Sequence, residues 1–289
     1  MTLIRYDKIK LSVDDLLQGD VKLASPPEIY ARLRQLLDKT DSTTAMLAEV
    51  IEHDPSLSAR ILKLVNSAFY ALPYKVDNII DAVNYVGVRE VQDVVLATEV
   101  IQRFEHIPPD LEDIYSFWRQ SLRCAVLVRH LAGKRKSTGN SDSLFLAGLL
   151  HRIGLLVMYT RIPELARKAL LEHRHRGLPL HEVQQDLMGF NYADVGAGLT
   201  RLWELPEMLC TIIANHIHPE QAEAFNSEAA LVHLSLAASQ AESFEPREVE
   251  PFLPQDDALW ESAGVTPEAL KEILPEAENT FGAALALLR

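Results

Sequence analysis

Seventeen residues in the middle of the chain, Ser143-Leu-Phe-Leu-Ala-Gly-Leu-Leu-His-Arg-Ile-Gly-Leu-Leu-Val-Met-Tyr159, constrain the fold more than any others. The run is apolar on nearly every face, and a helix apolar all round is buried on all sides. Its one polar interruption is His151-Arg152, neighbours that project about 100° apart and so flank a point without facing each other. At roughly 25 Å the run approaches membrane thickness, but a central charge and two glycines oppose a span. The expectation is one continuous central helix of an all-α domain.

The flanking sequence repeats the helical period. Ser25-Pro26-Pro27-Glu28 reads as a helix start, with Ser25 as cap, Pro26 at the first position and Glu28 closing a capping box. A second helix starts near Thr43. Asp54-Pro55 stops it and opens a third, Asp54 capping and Pro55 leading, and Asn66-Ser67 closes that one. A helix from Asp77 to Val86 ends at Gly87, read as a left-handed C-terminal turn, and Val88 to Phe104 continues as a helix. Pro108-Pro109 marks a junction between two subdomains. Further helices follow over Phe117–Leu131, Ile162–His173, from Leu180, from Pro206 and over Ser227–Ser243. The stretch Phe244–Pro254 is a proline-punctuated connector to C-terminal helices.

Two ordered patterns carry a family resemblance. Ile51-Glu-His-Asp-Pro-Ser-Leu-Ser-Ala-Arg-Ile-Leu-Lys-Leu-Val-Asn-Ser-Ala68, followed by Ala82-Val-Asn-Tyr-Val-Gly87, resembles the signature of the HDOD family, the HD-related output domain. Phe145-Leu-Ala-Gly-Leu-Leu-His-Arg-Ile-Gly154 is similar to the "aGLLHDIG" helix of the HD superfamily of metal-dependent phosphohydrolases. The resemblance runs from about Leu23 to Ala238. It implies an HDOD-type helical fold, with an N-terminal bundle of about five helices packed on an HD-like bundle. The corresponding division is a leader over 1–22, a domain over 23–244 with subdomains 23–107 and 108–244, and a helical extension over 245–289. Asp54, Pro55, Asn66, Ser67, Gly87, Trp118, Gly148, Gly154 and Trp203 are signature positions, read as structural.

The same resemblance locates a metal pocket and shows it degraded. Arg152 stands where the metal-binding Asp of the doublet is expected, and a guanidinium has donors and no acceptor. Gln120 stands at the expected first His, Tyr192 where His is common, and Leu236 where a final Asp is expected. The remnant pocket is taken as Gln120, His151, Arg152, Glu182, His216 and His218, with Glu182 or another acid the internal partner of Arg152. His216 and His218, two apart beside Pro219, point to different sides of their helix. No metal or cofactor is expected.

Composition narrows the partners. A net charge of -13 opposes a nucleic-acid binder, which needs clustered cations on one face. The basic runs Lys134-Arg135-Lys136 and His173-Arg-His-Arg176 read as solvated surface. Cys124 and Cys210 lie in apolar helical context without C-x-x-C spacing, as buried free thiols. The first residues hold no signal or lipidation motif, so cytoplasm is the default and no membrane is expected. The resemblance implies a bacterial signalling or regulatory module with links to cyclic-dinucleotide pathways. The first reading is a non-catalytic module engaging a protein partner or a small anionic ligand. The alternative is a residual metal phosphohydrolase acting on a nucleotide or cyclic dinucleotide through His151, His216 and His218 with a carboxylate such as Glu182.

Overall fold

In the computed structural model, residues 11–18, 25–135 and 143–288 are described. The leader before Leu11, the start of the family match at Leu23 and the polar loop from Lys136 lie outside them. Every regular element among the described residues is a helix. In chain order these are α1 (Val13–Leu17), α2 (Glu28–Leu37), α3 (Thr44–Glu52), α4 (Pro55–Val65), α5 (Ile79–Val86) and α6 (Val88–Arg103). There follow α7 (Ile114–Ala132), α8 (Leu144–Leu150), α9 (Ile153–Arg161), α10 (Pro163–Arg176), α11 (Leu180–Met188), α12 (Tyr192–Leu202), α13 (Glu207–Asn215) and α14 (Asn226–Ala238). Last come α15 (Pro246–Val249), α16 (Asp257–Ala263) and α17 (Pro267–Ala284), with 3-10 turns at Pro219–Gln221, Glu250–Phe252 and Leu285–Leu288.

Helices α2 to α6 form the N-terminal bundle, and their starts follow local chemistry. Thr43 caps α3 through Met46 N, and Asp54 caps α4 through Ser56 N and Leu57 N, with Pro55 first. The first start differs from the expectation: α2 begins at Glu28 with Pro27 as its cap residue. A residue that precedes proline is pushed out of the helical region, so Pro26 cannot lead the helix. Gly87 has the expected positive φ, at 93°, but with ψ 154° it is extended rather than left-handed helical, and it joins α5 directly to α6. Asn66 does more than close α4. Its amide donates to Leu62 O and Val76 O and accepts from Val76 N, pinning the loop ten residues on.

The central apolar run is two helices rather than one. Arg152, at φ -104° and ψ 13°, separates α8 from α9, and a tight bond from Leu155 N to Arg152 O starts the second. The break lets α8 lie along α7 while α9 lies along α12. Both contacts need a missing side chain. Gly148 sits so close to α7 that a Cβ would stand 2.6 Å from Ala125 Cα, and one on Gly154 would overlap the Tyr192 carbonyl. The stretch Leu144–Arg161 is long and apolar enough to cross a membrane by composition, yet 83% of it is buried within the protein.

Helix α7 is the spine of the second bundle, covered by α8, α14 and α17. Trp203, fully buried, anchors the two bundles: Arg34 of α2 donates to its carbonyl at 3.3 Å and Arg103 of α6 lies over its ring. The helices after residue 245 pack back, α16 on α14 and α17 on α7, and the last 3-10 turn touches α4. Arg135 departs from the solvated-surface reading. It is nearly buried and bonds Glu228 at 2.8 Å and Ser227 at 2.7 Å, tying the end of α7 to the start of α14.

Candidate functional site

The remnant pocket expected from sequence divides into two places. One is a closed cluster under α7. His151, at the end of α8, and His216, at the end of α13, are both completely buried, with rings edge to face and centroids 5.2 Å apart. Each is tied to its own helix. His151 Nδ1 donates to Gly148 O at 2.7 Å, and His216 Nδ1 donates to Ile213 O at 2.9 Å. A carbonyl only accepts, so Nδ1 carries the proton in both rings and Nε2 is left as an acceptor. His216 Nε2 receives the Tyr192 hydroxyl at 3.4 Å, while His151 Nε2 has no partner among the described residues.

The electrostatics keep both rings neutral. Burial holds His151 well below the ordinary imidazole value, reinforced by His216 and Arg152 and opposed by the Gly148 bond. Burial likewise pushes His216 down to about 3. Tyr192 is buried and its phenol is pushed up to about 12 by desolvation, so it remains a protonated donor. Cys124 of α7, fully buried, is also held protonated by desolvation. Both cysteines are free and buried.

Arg152 does not pair with Glu182. Its guanidinium lies over the Phe117 ring, 4.7 Å from the centroid, and donates to Phe117 O at 3.4 Å. The carboxylate that feels its charge is Glu112, in the segment before α7, whose acid is raised by burial and lowered by Arg152. Glu182 is instead exposed on α11, and it lines a surface cleft with His218. His218 is half-exposed while His216 is buried. The two part not by helical spacing but because α13 ends at Asn215 and His218 stands off the helix, before the Pro219 turn. Gln120 is half-buried on α7, and Trp118 beside it is buried with its Nε1 unpartnered among the described residues. Leu236 is partly buried against the core, and Ser235, the fully buried neighbour, faces inward.

These residues do not fit a metal. Where a carboxylate is needed the cluster presents a guanidinium, where the last acid is needed it presents Ser235 and Leu236, and Tyr192 occupies His216 Nε2. Among the described residues no three His, Cys, Asp or Glu side chains stand close enough to share an ion. Sequence reasoning identified His151, Arg152, Tyr192 and His216. It placed Cys124 as a buried thiol without linking it to this cluster, and it missed Glu112 and the histidines His181 and His233, none of which stands in a local pattern.

A family model described as HDOD domain matches residues 23–219. A Treponema pallidum (strain Nichols) protein, described only as uncharacterized, is 25% identical over 237 residues, which are 79% of this chain and 44% of that one. This chain thus spans less than half of that relative's length. A Shewanella amazonensis SB2B crystal structure, provisionally named a phosphohydrolase, superposes with a TM-score of 0.73 at 25% identity, covering 96% of each chain. An HDOD domain protein of unknown function from Geobacter sulfurreducens gives 0.71 at 20% identity, covering 90% of this chain and 92% of its own. A Marinobacter aquaeolei VT8 protein, provisionally named for signal transduction, gives 0.72 at 21% identity, covering 96% of this chain and 61% of its own.

Proposed function

The chain belongs to the HDOD family, and from that premise we propose that it is a non-catalytic signalling module whose inherited phosphohydrolase pocket has become part of the core. Its work is then to bind a protein partner or a small anionic ligand in bacterial signal transduction, in the cytoplasm. The observation that carries the reading is the state of His151 and His216. Both are fully buried, with the Tyr192 hydroxyl on His216 Nε2 and the Arg152 cation bordering the cluster. A phosphohydrolase of this superfamily needs an ion held by acids and imidazoles to polarise the phosphoryl oxygen and activate water. Arginine at the position of the acid repels that ion, and burial denies it a path.

The test is hydrolysis of bis(p-nitrophenyl) phosphate and of cyclic dinucleotides by the full chain with Mn, Fe, Ni or Zn supplied in turn. The reading predicts no metal-dependent turnover above that of His151→Ala. Turnover that needs a metal and disappears in His151→Ala would establish the residual hydrolase instead.

A further inference from the structure

More than half of the chain's net charge lies in its last helices. Residues 245–289 hold ten acidic and three basic side chains, a net charge of -7 against -13 for the whole chain. They follow the residues that the family model matches, which end at 219. Some of these acids are spent on internal pairs: Lys271 reaches Glu250 at 3.1 Å, and Lys134 of the segment after α7 reaches Glu272 at 3.2 Å. Asp257, Glu261 and Glu268 are exposed and form no ion pair among the described residues.

The unpaired acids stand at a cleft. Gly264, at φ 70°, turns the chain from α16 into α17, and the corner leaves an open cleft of about 700 Å³ with Glu261 on its wall. Trp260, Val265 and Pro267 give it an apolar lining. Arg135 and Ser227 close the far side, but that cation is already bound by Glu228 at 2.8 Å, so the free charge at the cleft is negative. Local chemistry does not favour Glu261. It lies in the last turn of α16, at the negative end of the helix, one turn from the like charge of Asp257, and both placements cost stability. A cation docked beside it relieves both.

We propose that this cleft docks a basic segment of a partner protein, with an apolar side chain seated against Trp260 and Pro267 and Lys or Arg side chains on Asp257, Glu261 and Glu268. Charge selects the occupant. A nucleic acid or an anionic membrane is repelled by the acids. A second copy brings the same net charge of -13, and in its basic helix α10 Arg167 and Arg176 are already held by Asp110, Glu164 and Asp186. Docking here rests on the protein-binding part of the functional reading above and is independent of whether the chain hydrolyses phosphodiesters, so the two are refuted by different assays.

The experiment is a fluorescence-anisotropy titration of the full chain into a short labelled peptide of lysine, arginine and leucine at low salt, beside a peptide with serine in place of leucine. The leucine peptide should saturate at one per chain, and the serine peptide should bind several-fold more weakly. Asp257→Asn with Glu261→Gln should weaken binding about fivefold, the effect of two exposed ion pairs, whereas the same charge change at Asp41→Asn with Glu52→Gln in the N-terminal bundle should alter it less than about twofold. In wild-type chain carrying 5-fluorotryptophan, the leucine peptide should move the ¹⁹F resonance of Trp260 and leave those of Trp118 and Trp203, a readout that needs no variant. Absence of saturable binding, equal losses in the two double variants, indifference to leucine or an unmoved Trp260 resonance overturns the proposal. So does a Trp260 resonance that moves with chain concentration alone, which seats a second copy there, or one that duplex DNA moves.

Discussion

Mild acid should weaken this protein through two histidines that never meet solvent. In the folded chain His151 is held well below its ordinary value and His216 at about 3, both chiefly by burial. In the unfolded chain each titrates near 6.5. Below that pH the unfolded chain takes up a proton that the folded chain refuses. The stability from keeping the rings neutral is therefore whole above about pH 6.5 and is lost as pH falls toward the folded values. Each ring contributes a limiting slope of about 1.4 kcal/mol per pH unit, and allowing for partial titration at the start, the pair loses about 2 kcal/mol between pH 6.5 and 5.5. That is a large part of a typical stability of roughly 5–15 kcal/mol. The half-buried His130 and His181, also lowered, add smaller amounts. Glu99 and Glu112, whose acids are raised by burial, act in the opposite direction closer to their own range, so the upper part of the window isolates the histidines. Urea unfolding at pH 7.0, 6.5, 6.0 and 5.5 measures the slope, with His216→Gln as comparison. The variant should lose about half of the wild-type slope whatever its absolute stability. A wild-type stability flat across this window, or an equal slope in His216→Gln, would refute the reasoning.

Gly154→Ala should be among the most damaging small substitutions, because its Cβ would overlap Tyr192 O and stand 2.6 Å from Gly196 N, both backbone atoms. Separating α9 from α12 should cost about 3 kcal/mol or more, read as a fall in urea midpoint, whereas Gly133→Ala, with only a 3.4 Å neighbour, should change little. Tyr192→Phe keeps the shape but leaves His216 Nε2 without its donor, and should cost about 1–3 kcal/mol in the same assay. Arg135→Met strands the nearly buried Glu228 and should cost about 3–5 kcal/mol, with much of the loss recovered when Glu228→Gln is added.

The sequence exposed the parts of the fold that local chemistry decides. Thr43, Asp54 and Pro55 each act within one turn, and their positions agree with the expectation. His216 and His218 also part as expected, but for another reason: α13 ends at Asn215, and His218 stands off the helix, before the Pro219 turn. Where local signals competed, the reading went wrong for identifiable reasons. Ser25 and Glu28 satisfy a capping pattern, but Pro27 forbids helix at Pro26. The apolar run over 143–159 has no breaker at its middle, because the break at Arg152 answers to two packing surfaces, α7 and α12, that are distant in sequence.

The chemistry of the pocket was half legible. Arg152 and Tyr192 were visible as departures from a family pattern, but their partners were not. Phe117, whose ring and carbonyl hold Arg152, lies 35 residues away in sequence, and the Glu112 charge reaches it from a segment without regular structure. Glu182 fitted as a partner by charge alone, and it is the fold that turns α11 outward. Arg135 likewise looked like one cation of a surface run, and only the arrival of α14 buries it. His181 and His233 carry no signal in the chain, since only the packing of α11, α13 and α14 brings His218 and His233 near His181.

The central claim is that the inherited pocket is closed core, and the histidine ring nitrogens report on it most directly. Two-dimensional ¹⁵N spectra of the full chain at pH 7, before and after excess zinc, resolve the proton and the ligand on each ring. His151 and His216 should both appear as neutral rings protonated at Nδ1, as their bonds to Gly148 O and Ile213 O require, with Nε2 resonances unmoved by zinc. A zinc-induced shift of His151 Nε2 or His216 Nε2 would show the pocket open to metal and contradict the account.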